Sequence, residues 1–147
     1  MEAAKVGKVV TKLKLTNHAD FIQAGSGSIA PEVVRSLEIE ALVDTGATML
    51  ALPEDVVAAL GARALGMRRA RDARGMAIEV PWVGGLLIEI LGREMTCDAL
   101  VLPLGATPLI GQIPLEGLDL IVDPKSREVH VNPVSPDLPL MDLMAVA

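Results

Sequence analysis

The sequence predicts a mainly β fold built as a single domain. Three observations carry that expectation. Short apolar runs rich in Val, Ile and Leu recur along the 147 residues, each bounded by Gly, Pro, Asn or Asp; such spacing marks strands joined by turns. Only one stretch, just after an acidic turn, combines the start and stop signals of a helix. The length suits one domain with a real core, and neither an internal repeat nor a low-complexity segment divides it.

The elements follow in chain order. Lys8 to Leu15 alternates from Val10 onward and reads as a strand. Thr16 to Pro31 holds Asn17, Gly25, Ser26, Gly27 and Ser28, so it is expected to be mostly loop. Val33 to Val43 is β-rich and runs into Asp44. Leu52 to Gly61 is the single helix: proline near its start, Glu54 and Asp55 in its first turn, glycine at its end. Leu65 to Glu79 is polar and basic, and a turn at Asp72-Ala73-Arg74-Gly75 makes it a projecting hairpin. Ala77 to Val83 continues as strand, broken at Pro81, and Gly84-Gly85 reads as a turn. Leu86 to Leu91 is a strand, Gly92-Arg93-Glu94 a turn, and Met95 to Leu102 the return. Leu109-Ile110-Gly111 is a short apolar run, and Pro114 to Leu118 one helical turn. Leu118 to Val122 and Glu128 to Val131 are strands joined by Asp123-Pro124-Lys125-Ser126, with proline at the second turn position. The domain is read as residues 1–137, and residues 138–147 as a C-terminal tail.

Composition narrows the function classes. Half of the residues are apolar and the mean hydropathy is +0.46, yet no window approaches eighteen apolar residues without a charge, so no transmembrane helix and no membrane partner are expected. Met1 to Lys5 shows no apolar signal-peptide core. Cys97, the only cysteine, excludes an internal disulfide and fits a reducing, cytoplasmic setting. A formal charge of −6 argues against broad nucleic-acid binding. Phe21 and Trp82 are the only aromatics besides histidine, so Val, Leu, Ile, Ala and Met must fill the core. The apolar excess points to surface hidden in an oligomer.

The motif that carries chemistry is Asp44-Thr45-Gly46, within Ala41-Leu42-Val43-Asp44-Thr45-Gly46-Ala47-Thr48. An apolar strand ends in one carboxylate, one hydroxyl and one glycine, where a tight turn begins. That arrangement suits an aspartic peptidase, which works with two carboxylates sharing a proton. There is one such motif, so a second acid must come from a second copy of the chain.

With these pieces in order, the chain resembles a retropepsin-type (retroviral-type) aspartic peptidase of the single-domain, dimeric kind, nearest to soluble bacterial members. Ala41 to Leu52 resembles the catalytic loop, Leu86 to Leu102 the hairpin behind it, and Pro108 to Gln112 the apolar-apolar-glycine segment that threads beside it. The resemblance spans roughly Lys5 to Pro133. It implies a closed acid-protease β-barrel with one short helix after the catalytic loop, a homodimer, a polypeptide substrate, and neither metal nor cofactor. It also implies roles. Asp44, Thr45 and Gly46 are catalytic. Ala47 and Thr48, and the flap tip Arg71, Asp72, Ala73, Arg74 and Gly75, contact substrate. Leu109, Ile110 and Gly111 support the catalytic loop. Two positions depart from the retroviral pattern. Gln112 stands where arginine is usual, so the ion pair that locks those dimers is not expected. The flap tip lacks their glycine-rich, apolar character.

Plainer readings stand beside these. Asp44 alone fits a turn aspartate capping its own loop. Arg68, Arg69, Arg71 and Arg74 would favour acidic or polar substrate flanks; the preferred account on sequence alone is a solvated face partly answered by Asp72 and Glu79. His18 and His130 lie far apart and read as loop and strand residues rather than ligands. Cys97 reads as a buried thiol, Asp98, Asp119 and Asp123 as strand-end or turn acids, and the methionines as core filler. Gly25-Ser26-Gly27-Ser28 lacks the lysine of a phosphate loop. The rival function is a non-catalytic β-barrel dimer that binds an extended peptide or protein partner in the same cleft.

Overall fold

The computed structural model describes residues 8–143. Its first strand, β1 (Val9–Asn17), shows how the sheet is built: Val9, Leu13 and Leu15 are buried, while Val10, Lys12 and Lys14 face solvent. Period-2 alternation puts one face on the core. Strand β2 (Ser36–Val43) pairs antiparallel with it, setting Leu13 against Ile39 and Leu15 against Leu37. On the outer face Lys12 lies opposite Glu40 and Lys14 opposite Glu38, unlike charges that favour this register.

Strand β3 (Leu50–Pro53) is buried throughout. It runs parallel to β6 (Arg93–Leu102) and antiparallel to β7 (Leu109–Ile110), which in turn runs parallel to the end of β2. Strand β4 (Arg63–Arg71) pairs with β5 (Ala77–Ile90), and β5 pairs with β6. The seven strands form one sheet in the order β1-β2-β7-β3-β6-β5-β4. Because β1 also pairs with β5 through Lys14 to Asn17, the sheet closes partly in a ring. Strands β8 (Leu120–Asp123) and β9 (Glu128–Val131) form a separate two-stranded sheet. Leu13, Leu15, Leu50, Leu52, Leu86, Ile88, Ile90 and Ile110 meet inside the ring. The mainly β class is as expected.

Three expectations about elements are corrected. The helix after the acidic turn, α2 (Glu54–Leu60), is joined by an unexpected α1 (His18–Gly25), while the helical turn expected over Pro114 to Leu118 is present as the short α3 (Gln112–Gly117); the described residues thus contain three α-helices. Helix α1 occupies the segment read as loop. Asn17 caps it by accepting from the Asp20 N–H at 3.0 Å, and Arg35 holds Asp20 in a two-point ion pair at 2.8 and 3.0 Å. The cap and the tertiary ion pair outweigh the weak helical composition of the segment. Strand β5 runs unbroken through Pro81 and Gly84-Gly85. Gly85, at φ +49°, absorbs a register shift between Val83 and Leu86, so the glycine pair is a β-bulge and not a turn. Pro81 is exposed on the β4-facing part of the strand. Leu91 and Gly92 alone make the β5–β6 turn, both at positive φ (51° and 81°). This fits a tight two-residue hairpin, and Arg93 begins β6 instead of lying in the turn.

Arg93 is 6% exposed. It donates to the carbonyls of Leu118 and Asp119, each at 3.0 Å, and to that of Ser135. Asp119 accepts from Ser135 Oγ, from Asn132 Nδ2 at 3.0 Å and from the Leu140 N–H at 2.9 Å. These bonds tie the chain after β9 to the ring. In and after this stretch Leu138, Met141 and Leu143 are exposed, Leu143 by 90%; residues 144–147 lie outside the described residues. Among the described residues no helix is long and apolar enough to cross a membrane.

Candidate functional site

Asp44 leaves the C-terminal end of β2 and enters a turn at Thr45-Gly46. Its backbone N–H donates to the Ile110 carbonyl at 2.9 Å, which fixes the loop to β7. The Gly46 N–H donates to Asp44 Oδ1 at 2.9 Å, and the Ala47 N–H to the Asp44 carbonyl at 3.0 Å. The carboxylate is therefore aimed by its own turn. A Cβ on Gly46 would stand 3.2 Å from Asp44 Oδ1, so glycine admits the acid at this closeness. Asp44 is half-buried; Thr45, Gly46 and Thr48 are exposed and Ala47 is half-buried.

The second half of the site comes from the other end of the chain. Leu109 pairs with Leu42 and Ile110 with Val43, so Gly111 arrives beside the loop. The Gln112 N–H donates to the Ala47 carbonyl and the Ile113 N–H to the Thr48 carbonyl, both at 2.9 Å. A Cβ on Gly111 would meet the Met49 carbonyl oxygen at 2.6 Å, that of Ala47 at 2.7 Å and the Met49 nitrogen at 2.8 Å. Residues more than sixty positions apart are thus brought together. The expected neighbours of Asp44–Thr48 are its neighbours in space.

The hairpin tip stands apart. Asp72 Oδ1 accepts from the N–H groups of Arg74 and Met76 at 2.9 and 3.0 Å, and its Oδ2 pairs with Arg74 Nη2 at 3.0 Å. Arg74 first, then the Met76 N–H, holds the Asp72 carboxyl below its ordinary value. Gly75 takes φ +82°, which closes the turn without Cβ strain. Asp72 therefore organises the tip itself. The tip's hydrogen bonds are its own, and none of them reaches Asp44–Thr48.

An open cavity of about 230 Å³ borders the loop at Met49 and is lined also by Met95, Cys97, Asp98 and Ile113. Burial, then the neighbouring Asp98 charge, pushes the Cys97 thiol up to about 12. At neutral pH it stays a thiol, which fits packing and not nucleophilic attack. A larger cavity, about 460 Å³, lies between α1 and the outer face of the sheet, with Phe21, Pro31, Leu87 and Glu89 among its lining. No residue from Asp44 to Thr48 lines it, and no contiguous pattern in the sequence marks it, because its walls come from α1 and from strands far apart in the chain. Among the described residues, no cluster of three or more His, Cys, Asp or Glu is placed to hold a metal ion.

No protein-family model matches the chain, and no curated protein matches it.

Proposed function

We propose that this chain is an aspartic endopeptidase of the retropepsin type, acting as a homodimer with Asp44 of each subunit at a shared two-fold site. The observation that carries the reading is the seating of Gly111 on the Asp44 loop, with Asp44 held by Ile110 and Ala47 by Gln112. A carboxylate aimed by a Gly46 N–H, at a strand end, with small exposed residues behind it, is suited to positioning a water for attack. Two such carboxylates facing each other hold one proton between them, because double ionisation at close range is costly. The ionised acid takes a proton from the water as it attacks the scissile carbonyl, and the protonated acid donates a hydrogen bond to the carbonyl oxygen. Thr45, exposed at the turn, braces the paired loops. The substrate is an extended or unfolded polypeptide.

The deciding experiment is turnover of an unfolded protein substrate by the parent and by Asp44→Asn. Loss of the general base lowers kcat by at least about a hundredfold, while the melting temperature stays close to the parent's. A parent without turnover, or an Asp44→Asn variant as fast as the parent, overturns the proposal. The rival binding module predicts that Asp44→Asn changes little.

A further inference from the structure

The β4 edge carries an inference that lies beyond the Asp44 site. Strand β4 ends the seven-stranded sheet, so among the described residues one side of its backbone has no strand partner. Eight of its nine residues are exposed, Ala70 being half-buried. An exposed edge of this length is a template for strand addition. It is also the cationic part of an anionic protein: Arg63, Arg68, Arg69, Arg71 and Arg74 lie between residues 63 and 80 with only Asp72 and Glu79 opposing them, whereas the chain as a whole is at −6.

The structure shows how little of that charge is answered internally. Asp72 pairs with Arg74. Among the described residues, Arg63, Arg68, Arg69 and Arg71 have no carboxylate within salt-bridge distance. Arg69 lies opposite Glu79 in register without an ion pair. Arg68 sits over the Trp82 ring, 3.9 Å from its centroid. Gly66 makes room for that ring, since a Cβ there would stand 3.2 Å from Trp82 Nε1. The stack holds the guanidinium in place and leaves its N–H edges free. Alternation sets Met67, Arg69 and Arg71 on one face of the strand and Arg68 on the other. The edge thus presents one exposed apolar side chain followed by two cations at every second position.

We infer that the free edge of β4 is a docking site for an extended acidic polypeptide, which adds as a strand and places carboxylates across from Arg69 and Arg71 and an apolar side chain across from Met67. Backbone hydrogen bonds along the edge supply affinity, and the arginines supply selectivity. The acidic remainder of the protein repels such a segment elsewhere and steers it to the hairpin. A polynucleotide fits worse: its charge continues past the hairpin onto acidic surface, and Trp82 is the only aromatic side chain here on which a base could stack. The site does not depend on chemistry at Asp44; if the peptidase reading also holds, acidic segments become its substrate class.

The test uses the full chain carrying Asp44→Asn and a labelled peptide alternating Glu with Leu or Val, measured by fluorescence anisotropy against its Glu-to-Gln analogue. The acidic peptide should bind at least about tenfold tighter, and raising the salt well above physiological strength should abolish most of the difference. Adding Arg69→Gln and Arg71→Gln should weaken binding by a similar factor, with the melting temperature confirming the fold. Equal affinity for the two peptides, a double variant that binds like its parent, or displacement of the peptide by a single-stranded oligonucleotide at lower concentration overturns the inference. The peptide comparison uses the same Asp44→Asn protein for both peptides, so it decides even if the double variant misfolds. The outcome is separable from catalysis: a parent that cleaves both peptides equally sinks the docking site and keeps the peptidase, whereas selective binding without cleavage does the reverse.

Discussion

Gly111 presses against Met49 so closely that a Cβ on the glycine would lie 2.6 Å from the Met49 carbonyl oxygen. The contact is with backbone, so no side-chain rotation relieves it. Gly111 has φ −94°, a conformation open to any residue, and the constraint is therefore steric alone. Gly111→Ala should cost about 1–3 kcal/mol, as overpacking of a closed site does, and Gly111→Val more. Urea unfolding reads the cost. The displaced loop carries Asp44, so the proposed peptidase activity should fall further than stability does at a temperature where the variant is folded. A Gly111→Ala protein with the parent's midpoint and turnover would contradict this account.

Asn17 joins two helices. It is 6% exposed; its Oδ1 caps α1, and its Nδ2 donates to the Leu60 carbonyl at 2.9 Å, at the end of α2. Asn17→Ala removes a cap and strands a buried carbonyl, a loss of roughly 2–3 kcal/mol. Asn17→Ser keeps a capping oxygen without the reach to Leu60 and should recover part of that loss. Equal stabilities of all three proteins by chemical denaturation would show that the cap and the bridge contribute nothing.

These two residues mark what could be read from sequence. The Asp44 loop and the Leu109-Ile110-Gly111 segment were legible because each is a contiguous pattern: an apolar strand ending in small or acidic residues. Their mutual placement followed from the resemblance and not from periodicity. Helix α1 was not legible. Its segment is crowded with glycine and serine at its end, and its stability comes from Arg35, fifteen residues beyond Asp20. Gly84-Gly85 looks the same in sequence whether it turns the chain or bulges a strand; only pairing with β6 decides. Arg93, read as a turn residue, is buried because the partners that satisfy it, at Leu118, Asp119 and Ser135, are distant in the chain.

Arg93 is expected to be among the most sensitive positions. Arg93→Met retains packing volume but leaves the carbonyls of Leu118, Asp119 and Ser135 without their donor. The expected loss is roughly 3 kcal/mol, in the range for removing one member of a buried hydrogen-bonded charge network. The loosened part is the chain from Asn132 to Leu140, so amide exchange there should quicken more than in β1 or β2. Uniform quickening across the sheet would mean that Arg93 supports the whole ring instead of this strap.

The last prediction concerns acid. Asp119 is lowered from an ordinary 3.8 to about 2, first by Ser135, then by Asn132 and the Leu140 N–H. Asp20 is lowered to about 2 as well, chiefly by the Arg35 side chain. A carboxyl that binds its proton less readily when folded contributes stability that is fully present above its unfolded value and lost as pH falls through the folded one. Both contributions are therefore intact at pH 5 and disappear between about pH 4 and pH 2. The proposed Asp44 pair works in the opposite sense on its upper side: it needs the shared proton, so the rate falls as that proton is lost with rising pH. The high limb of the rate should be set by the pair, and its low limb should be joined by loss of the Asp20 and Asp119 contributions. The profile of kcat/KM with pH, with Asp44→Asn as blank, should be measured beside thermal melts at each pH. Asp119→Asn should flatten the acid fall of the melting temperature and leave the high limb of the rate in place. A rate that climbs steadily through pH 9 would exclude the carboxylate pair, and an unchanged acid slope in Asp119→Asn would remove Asp119 from the acid response.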